Sequence, residues 1–504
     1  MTALAMAIAP QTGLTTAELV HALPSARLHG DGSVRLSGVH QDSRRIARGD
    51  LFCARRGEKS DGLAFAAAAV RQGAAAILLD AGGELPALGV PLIEVPDARR
   101  ALGYAAEAIY GFPSRTLSLV GITGTNGKTT TSLLVEHTLA ELGAVPARLG
   151  TLGLSFRGRA LEGTLTTPEA DDLSRTLAEV RDAGGSHAVM EVTSHALELG
   201  RVAALGFKVA AFTNLTQDHL DFHGGMDAYG RAKARLFDEF PIEASVINVS
   251  DPFGEKLAES ARGRVLRVAR AGNAELVVLE ASISAQGIRA RVRVPGGEVE
   301  LVSRLVGEHN LENLLVALGI AGALGFDFAA AAAALGRAPQ VPGRLERCDE
   351  DGDDLSVFVD YAHTPDALER VLAALTRVSD GEVWCLFGCG GDRDPLKRPK
   401  MGAAVARGAA RAIITSDNPR SEDPAAIVAA IEPALSASST PYVVELDRAR
   451  AIEQAVLAAP SGATLLLAGK GHEPYQIIGS EKRPFDDRAM ARRALAKRRA
   501  RAGS

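Results

Sequence analysis

A chain of 504 residues that is 46% hydrophobic can form about three domains of ordinary size, and its 56 basic against 61 acidic side chains leave none of the cationic excess that nucleic-acid binding requires. Its four cysteines, Cys53, Cys348, Cys385 and Cys389, are too few and scattered for a disulfide framework, and Cys385 and Cys389 lack the second ligand pair of a zinc site. No run approaches the roughly 18 apolar residues of a membrane span, and the apolar N-terminus lacks a positive leader region, so a cytoplasmic protein acting on small molecules is expected.

Residues 1–111 read as a mixed α/β segment, with helices at TTAELVHAL and LAFAAAAVRQG and strands at AAAILLD and VPLIEV. Asp42, Ser43 and Arg44 precede a strand at Asp50 to Ala54 and then a polar loop; by residue type alone this is a solvated turn. YGFPS, residues 110–114, reads as a linker.

Residues 112–345 alternate short apolar runs (HAVMEVTS, VAAFTNL, SVINVS) with helical stretches, the pattern of a mostly parallel sheet flanked by helices. Between 274 and 306 the alternation tightens to that of an antiparallel insertion, and GEHNLENLLVALGIAGALG returns to helix. Residues 346–504 form a second α/β series, SVFVDYA, EVWCLFG, RAIITSD, PYVVELD and TLLLAG, which suggests a Rossmann-like doubly wound domain. GCGGDRD, SDNPR and AGKGHE fall at the carboxyl ends of its strands, where ligands gather in such sheets. The closing MARRALAKRRAR is basic and helical, and reads as a solvated helix end.

The chemistry centres on GITGTNGKTTTSLLVEHTL, residues 121–139, a strand end, a glycine-rich turn and a helix start. Gly124 and Gly127 let the backbone of Thr125 and Asn126 curl around an anion, Lys128 adds a cation, and the hydroxyl of Thr129, followed by Thr130, can reach Mg²⁺. The first glycine of the general phosphate-loop consensus is replaced by Ile122, so GTNGKT is a narrower variant.

Other residues bear on the same loop. Glu191 ends an apolar strand, where a buried carboxylate needs a partner, and a metal ion is the natural one. In NLTQDHLDFHG, His219 between Asp218 and Asp221 is a candidate for a second ion. Lys233, on a helix whose apolar stripe is Tyr229, Leu236, Phe237 and Phe240, reads by itself as a surface lysine. Asn310 and Asn313 can cap a helix or read an adenine edge, capping being the simpler role. Arg344 and Asp360 flank a domain change and could meet a γ-phosphate and a ribose of a nucleotide held between domains, while Arg393, Arg420 and Glu473 complement a substrate with carboxylates and an ammonium group.

Taken together, GTNGKTT, MEVTSHAL, NLTQDHLDFHG, GEHNLENLLVA, VPGRLE, VDYAHTPDAL and AGKGHE, in that order, resemble the Mur ligase family, which adds amino acids to the peptide stem of the cell-wall precursor. DNPR, residues 417–420, resembles the signature of the members that add meso-diaminopimelate. The resemblance implies an α/β protein of three domains: a UDP-muramoyl-binding domain (1–111), a central P-loop ATPase domain (112–345) and an amino-acid-binding domain (346–504). It implies ATP and Mg²⁺, with Thr129, Glu191, His219 and a CO₂-derived carbamate on Lys233 as metal ligands. Lys128 and Arg344 complete the catalytic set. It implies that Asp42, Ser43, Glu58, Lys59, Ser60, Thr166, Thr167, Ser194 and Arg201 contact UDP-N-acetylmuramoyl-L-alanyl-D-glutamate, and that Arg393, Asp417, Asn418, Pro419, Arg420, Gly469 and Glu473 contact diaminopimelate. It implies a monomer that acts through an acyl phosphate. Leu199 departs from the pattern, standing where relatives have glutamine. The competing expectations are the same ligation with L-lysine or another amino acid, glutamate addition to folate, and a P-loop ATPase switch that makes no amide.

Overall fold

The computed structural model describes residues 13–57, 61–83, 86–161, 163 and 165–502. The described chain is an α/β protein of two compact units: one carries the chain up to Leu279 with Val292–Val299 and Glu312–Leu335, the other Glu280–Arg291, Glu300–Leu311 and everything from Gly336 onward.

In the first unit an N-terminal sheet has the order Arg27–His29, Leu92–Val95, Ala76–Asp80, Asp50–Ala54, Gly38–His40, parallel throughout except at Arg27–His29. Every residue of Asp50–Ala54 is buried, because its alternating side chains enter two cores: Leu51 and Cys53 pack with Leu78, Ile93 and Leu102 on one face, Phe52 and Ala54 with Ile77 and Leu79 on the other.

The same unit holds a larger sheet whose parallel part runs Pro146–Gly150, His187–Glu191, Ser118–Thr123, Phe207–Phe212, Ile242–Asn248, Arg264–Ala269 and on to the start of Leu276–Ser284. Gly153–Phe156 and Arg159–Leu161 extend one edge antiparallel. The register fixes the site, because Ile122 pairs with Glu191 and Thr123 with Phe212, so three adjacent strands end at one level. Gly287–Val294 and Gly297–Ser303 alternate buried and exposed side chains as the tightened sequence pattern predicts, and the helix Glu308–Ala323 follows.

The second unit contains the doubly wound sheet, in the order Glu346–Arg347, Ser356–Asp360, Thr464–Ala468, Val383–Phe387, Arg411–Ile414, Tyr442–Val444. All pairs are parallel except the first. Phe358, Cys385 and Phe387 pack on one face and Val357, Val359 and Leu386 on the other, so both faces are covered.

YGFPS, between the N-terminal sheet and the strand Ser118–Thr123, is ordered: Phe112 is left-handed at φ 52°, Pro113 starts a short helix Pro113–Thr116, and buried Ser114 donates to Glu107 at 2.5 Å and accepts from the amide of Gly206 at 3.0 Å. One sequence reading is corrected. The basic C-terminal helix Asp487–Ala502 is not simply solvated, since Arg498 and Arg499 pair with Asp354 and Asp353, Lys497 with Glu453 and Arg492 with Glu346. The acidic run DEDGDD was the complementary signal in the sequence. Among the described residues no helix is long and apolar enough to cross a membrane.

Candidate functional site

The phosphate loop leaves its strand at Thr123 and opens the helix Lys128–Glu141. Two of its glycines are obligatory. Gly124 has φ 149° and a Cβ there would sit 1.9 Å from Thr213 Oγ1, while Gly127 has φ 87° and a Cβ would sit 2.2 Å from Asn313 Oδ1. Lys128 Nζ donates to the carbonyls of Gly124 and Thr125, each at 2.8 Å, which arches the loop over its own lysine. The following segment braces it: Asn126 N donates to Asn214 Oδ1 at 2.9 Å, Thr125 Oγ1 to the Thr216 carbonyl at 3.1 Å, and Thr213 Oγ1 to the Asn126 carbonyl at 2.6 Å. Thr213, Asn214 and Thr216 were missed in the sequence, because polar residues after a strand carry no mark of what they face.

Glu191 is buried beside the helix start. Its carboxylate accepts from Thr129 Oγ1 at 2.9 Å, Thr151 N at 2.9 Å and Thr151 Oγ1 at 3.1 Å. Two hydroxyls and an amide thus partner this buried carboxylate. Gly150 yields the space, since a Cβ there would lie 2.1 Å from Glu191 Oε1. A hydroxyl and a carboxylate in contact at a phosphate loop are oxygen donors suited to Mg²⁺. Among the described residues no group of three or more His, Cys, Asp or Glu is placed to hold a metal ion.

Lys233 overturns its reading as a surface lysine, being 1% exposed. Its Nζ donates to the Gly124 carbonyl at 2.9 Å and lies 4.3 Å above the Tyr229 ring, whose hydroxyl is 3.2 Å from Thr125 Oγ1. Burial, reinforced by the nearby Lys128, pushes the amine well below the usual lysine range. His219 is exposed and left-handed at φ 52°; its ring packs edge-on to His195 at 4.8 Å, and Asp218 lies 3.5 Å from Nε2.

Around Glu191 gather four of the residues assigned to the nucleotide-linked substrate. Thr167 Oγ1 donates to the Glu191 carbonyl at 2.8 Å, Thr166 Oγ1 is 3.2 Å from Thr151 Oγ1, and Arg201 donates to the Thr167 carbonyl at 3.3 Å while pairing with Glu169 at 2.8 Å. Ser194 Oγ lies 2.9 Å from His223 Nε2. Leu199 caps the C-terminus of the short helix Ser194–Glu198. Asp42 occupies a different setting: it caps the turn Ser43–Arg45, and Arg44 holds its carboxyl down at about 2. Arg45 ties that turn to Asp172 at 2.6 Å. Glu58, Lys59 and Ser60 lie outside the described residues.

Asn310 and Asn313 lie within the helix Glu308–Ala323, which corrects the capping role. In the second unit Asn310 Nδ2 donates back to the Val306 carbonyl at 2.8 Å, and in the first Asn313 Oδ1 accepts from Thr131 at 3.4 Å beside Gly127.

In the second unit Arg344 stacks 5.0 Å over the Tyr361 ring. The two oxygens of buried Asp360 accept the amides of Leu345 at 2.7 Å and Ala362 at 2.8 Å. Burial raises this carboxyl and Arg344 opposes the shift. His472 is pushed down to about 4 by burial and then by Arg344 and Arg488.

At the carboxyl ends of the strands the DNPR segment is tightly held. Asn418 Nδ2 donates to Glu473 Oε2 at 2.9 Å, and its Oδ1 accepts from Lys470 Nζ at 3.2 Å and Ile477 N at 2.9 Å. Fully buried Lys470, which the sequence reading passed over, also pairs with Glu473 at 3.3 Å. Asp417 is buried, and burial raises its carboxyl. Gly469, at φ 112°, leaves room for it, since a Cβ would lie 2.6 Å from Asp417 Oδ2. Pro419 turns its carbonyl onto Gly391, where a Cβ would come within 1.9 Å. Arg420 and exposed Arg393 flank Gly390, a Cβ on which would lie 3.0 Å from Arg420 Nη1 and 3.8 Å from Arg393 Cγ. Two guanidiniums, an amide and a carboxylate thus share one neighbourhood, a set able to grip a dicarboxylic amino acid.

The chain matches the models of the Mur ligase family catalytic domain (residues 35–110), the Mur ligase middle domain (122–321) and the Mur ligase glutamate ligase domain (343–471). It is 45% identical over 469 residues to a UDP-N-acetylmuramoyl-L-alanyl-D-glutamate–2,6-diaminopimelate ligase of Gloeobacter violaceus, with 93% of this chain and 95% of that one aligned. The ligase of the same name from Geobacillus kaustophilus is 41% identical, with 95% and 99% aligned. Among solved structures, one of a ligase of that name superimposes with TM-score 0.74 at 31% identity over 97% of this chain and 99% of that one. A folylpolyglutamate synthase of Mycobacterium tuberculosis solved with ADP, 20% identical, shares the fold with TM-score 0.60 over 73% of this chain and 91% of that one.

Proposed function

The chain belongs to the Mur ligase family, and from that premise we propose that it joins meso-diaminopimelate to the D-glutamate of UDP-N-acetylmuramoyl-L-alanyl-D-glutamate at the expense of ATP, in peptidoglycan precursor synthesis. The observation that carries the choice of amino acid is Arg420 of DNPR beside Arg393, with Asn418 and Glu473 linked at 2.9 Å in the same neighbourhood.

A carboxylate is a poor electrophile, so amide formation begins by activating it. One oxygen of the D-glutamate γ-carboxylate attacks the γ-phosphorus of ATP, the bond to ADP breaks, and an acyl phosphate results. The helix N-terminus at Lys128, the Lys128 ammonium and Arg344 stabilise the charge spread over the transferred phosphoryl group. Thr129 and Glu191, with His219 and Lys233 for a second ion, are the residues that would hold Mg²⁺, which when bound neutralises phosphate charge. Asn310, Asn313 and Asp360 complete the nucleotide contacts.

Lys233 fits modification by CO₂ because burial lowers its amine well below the usual lysine range and so favours the neutral, nucleophilic form: the neutral nitrogen bonds to the carbon, one proton is released, and an uncharged amine becomes an anionic oxygen ligand. Thr166, Thr167, Ser194 and Arg201, with Asp42, Ser43 and the Glu58–Ser60 loop, hold the nucleotide-linked dipeptide. In the second half-reaction a neutral amine of diaminopimelate attacks the acyl carbon, phosphate leaves, and one proton is lost. Arg393, Arg420, Asn418 and Glu473 hold the distal carboxylate and ammonium, while Asp417, Pro419 and Gly469 shape their surroundings. The reading includes a monomer working in the cytoplasm, where its substrates are made.

Discrimination against lysine follows physically. Lysine lacks the distal carboxylate and leaves arginines unpaired in a site built for one, worth several orders of magnitude where a buried polar partner goes unmet. The test is ligation with ATP, Mg²⁺ and the UDP-linked dipeptide, offering meso-diaminopimelate and L-lysine separately. Amide product with diaminopimelate alone is expected; comparable product with lysine would overturn the assignment.

A further inference from the structure

Resting on the reading of the DNPR neighbourhood as the amino-acid site, we infer that Glu422 is a positioning residue. It clasps together the two loops that carry Arg393 and Arg420, and so sets the enzyme's grip on the distal carboxylate of its amino acid.

Each loop contains a non-glycine residue in the left-handed region, Asp392 at φ 52° and Arg420 at φ 51°. Such backbones persist only where surrounding contacts over-determine them. Here the contacts are reciprocal. Glu422 Oε1 accepts the Asp392 amide at 2.6 Å, and the Asp392 carboxylate in return accepts the Ser421 hydroxyl at 2.6 Å and its amide at 3.2 Å. Between these anchors Arg420 Nη1 donates to the Gly391 carbonyl at 2.7 Å, and the Gly391 amide donates to the Asn418 carbonyl at 2.9 Å.

The clasp is fastened to the core. Arg398, on the helix Lys397–Gly408, is buried, and its Nη2 donates to both Glu422 oxygens at 2.8 Å, while its Nε has no hydrogen-bond partner. Glu422 is therefore both the counter-ion of a buried guanidinium and the acceptor that pins the Arg393 loop. Bidentate recognition of a carboxylate depends on where the guanidinium plane lies, so slack in either loop weakens it. Every bond of this network joins residues of the loops that carry Arg393 and Arg420 or the helix behind them, so the effect should be confined to one substrate.

The experiment measures KM for each of the three substrates and kcat in the full-length enzyme carrying Glu422→Ala, Glu422→Gln or Ser421→Ala. Glu422→Ala should raise KM for diaminopimelate about tenfold or more, with KM for ATP and for the UDP-linked dipeptide unchanged. Glu422→Gln keeps an acceptor for the Asp392 amide and should recover part of the loss. If Glu422→Ala does not fold, exposed Ser421→Ala, which removes only the return bond, should still raise KM for diaminopimelate by about threefold. Unchanged KM for diaminopimelate in the variants, or an equal rise for all three substrates, would overturn the clasp while leaving the proposed reaction standing. A wild-type enzyme that makes no amide from diaminopimelate would overturn that reaction, and the clasp with it.

Discussion

Replacing Lys233 by methionine should make the first unit more stable and the enzyme inactive. The side chain is 1% exposed and makes a hydrogen bond to the Gly124 carbonyl at 2.9 Å, but that carbonyl also accepts from Lys128 Nζ at 2.8 Å, so the substitution orphans nothing there. The loss is one hydrogen bond, about 1 kcal/mol net, and the gain is relief of a poorly solvated amine, about 1–3 kcal/mol. The net stabilisation, up to about 2 kcal/mol, corresponds to a rise in Tm of up to about 6 °C. The wild type should also show a pH dependence that the variant lacks. Burial and Lys128 depress the folded-state pKa, so the unfolded chain binds a proton the native state has released. The share of wild-type stability set by Lys233 therefore rises with pH from its folded pKa up to the ordinary lysine value of about 10.4, and is flat outside that window. Thermal unfolding in CO₂-free buffer across pH, beside a ligation assay, checks both points. A Lys233→Met enzyme that melts earlier than wild type and still ligates would refute the argument. Lys233→Ala should in turn regain part of its activity with a short carboxylate additive.

Gly127→Ala should abolish ATP binding, measured by calorimetry, because a side chain at φ 87° meets Asn313 Oδ1 at 2.2 Å. Asp487→Asn should destabilise the second unit by about 3–5 kcal/mol in denaturant titration, since it leaves Arg448 charged and fully buried; Arg448 bonds Asp487 at 2.6 Å and the Ser416 and Ala468 carbonyls that lead into the amino-acid site. The double variant Arg448→Met, Asp487→Leu should recover most of that stability. His472, held near pKa 4, is neutral in the native state, so its share of stability falls as pH drops from about 6.5 through 4; His472→Asn should show a shallower acid loss over that window.

Where periodicity and turn chemistry are local, the sequence was readable. The strand at Asp50 to Ala54 ends at the residues expected, the alternation of GIRARVRV survives residue by residue, and the glycine-rich turn opens a helix at Lys128. What hid were contacts between segments far apart in the chain. Glu191 could be seen to need a partner, but that Thr129 and Thr151 supply it depends on strand register. Lys233 is instructive because its signal was present: it sits four residues after Tyr229 and three before Leu236, on the stripe itself. A lysine within an apolar stripe was read as an exception when it was a member. Arg420 was found from its motif, yet Glu422, two residues on, looked like any surface carboxylate until Asp392 and Arg398 converged on it.

The central claim is that ATP is used to turn the D-glutamate γ-carboxylate into an acyl phosphate that diaminopimelate then captures. It is tested most directly by supplying UDP-N-acetylmuramoyl-L-alanyl-D-glutamate labelled with ¹⁸O in that carboxylate, together with ATP, Mg²⁺ and meso-diaminopimelate, and following phosphate and amide product by mass. One ¹⁸O should pass to each phosphate released, with one amide formed per ADP. Unlabelled phosphate and ADP without amide would contradict the account and leave an ATPase in its place.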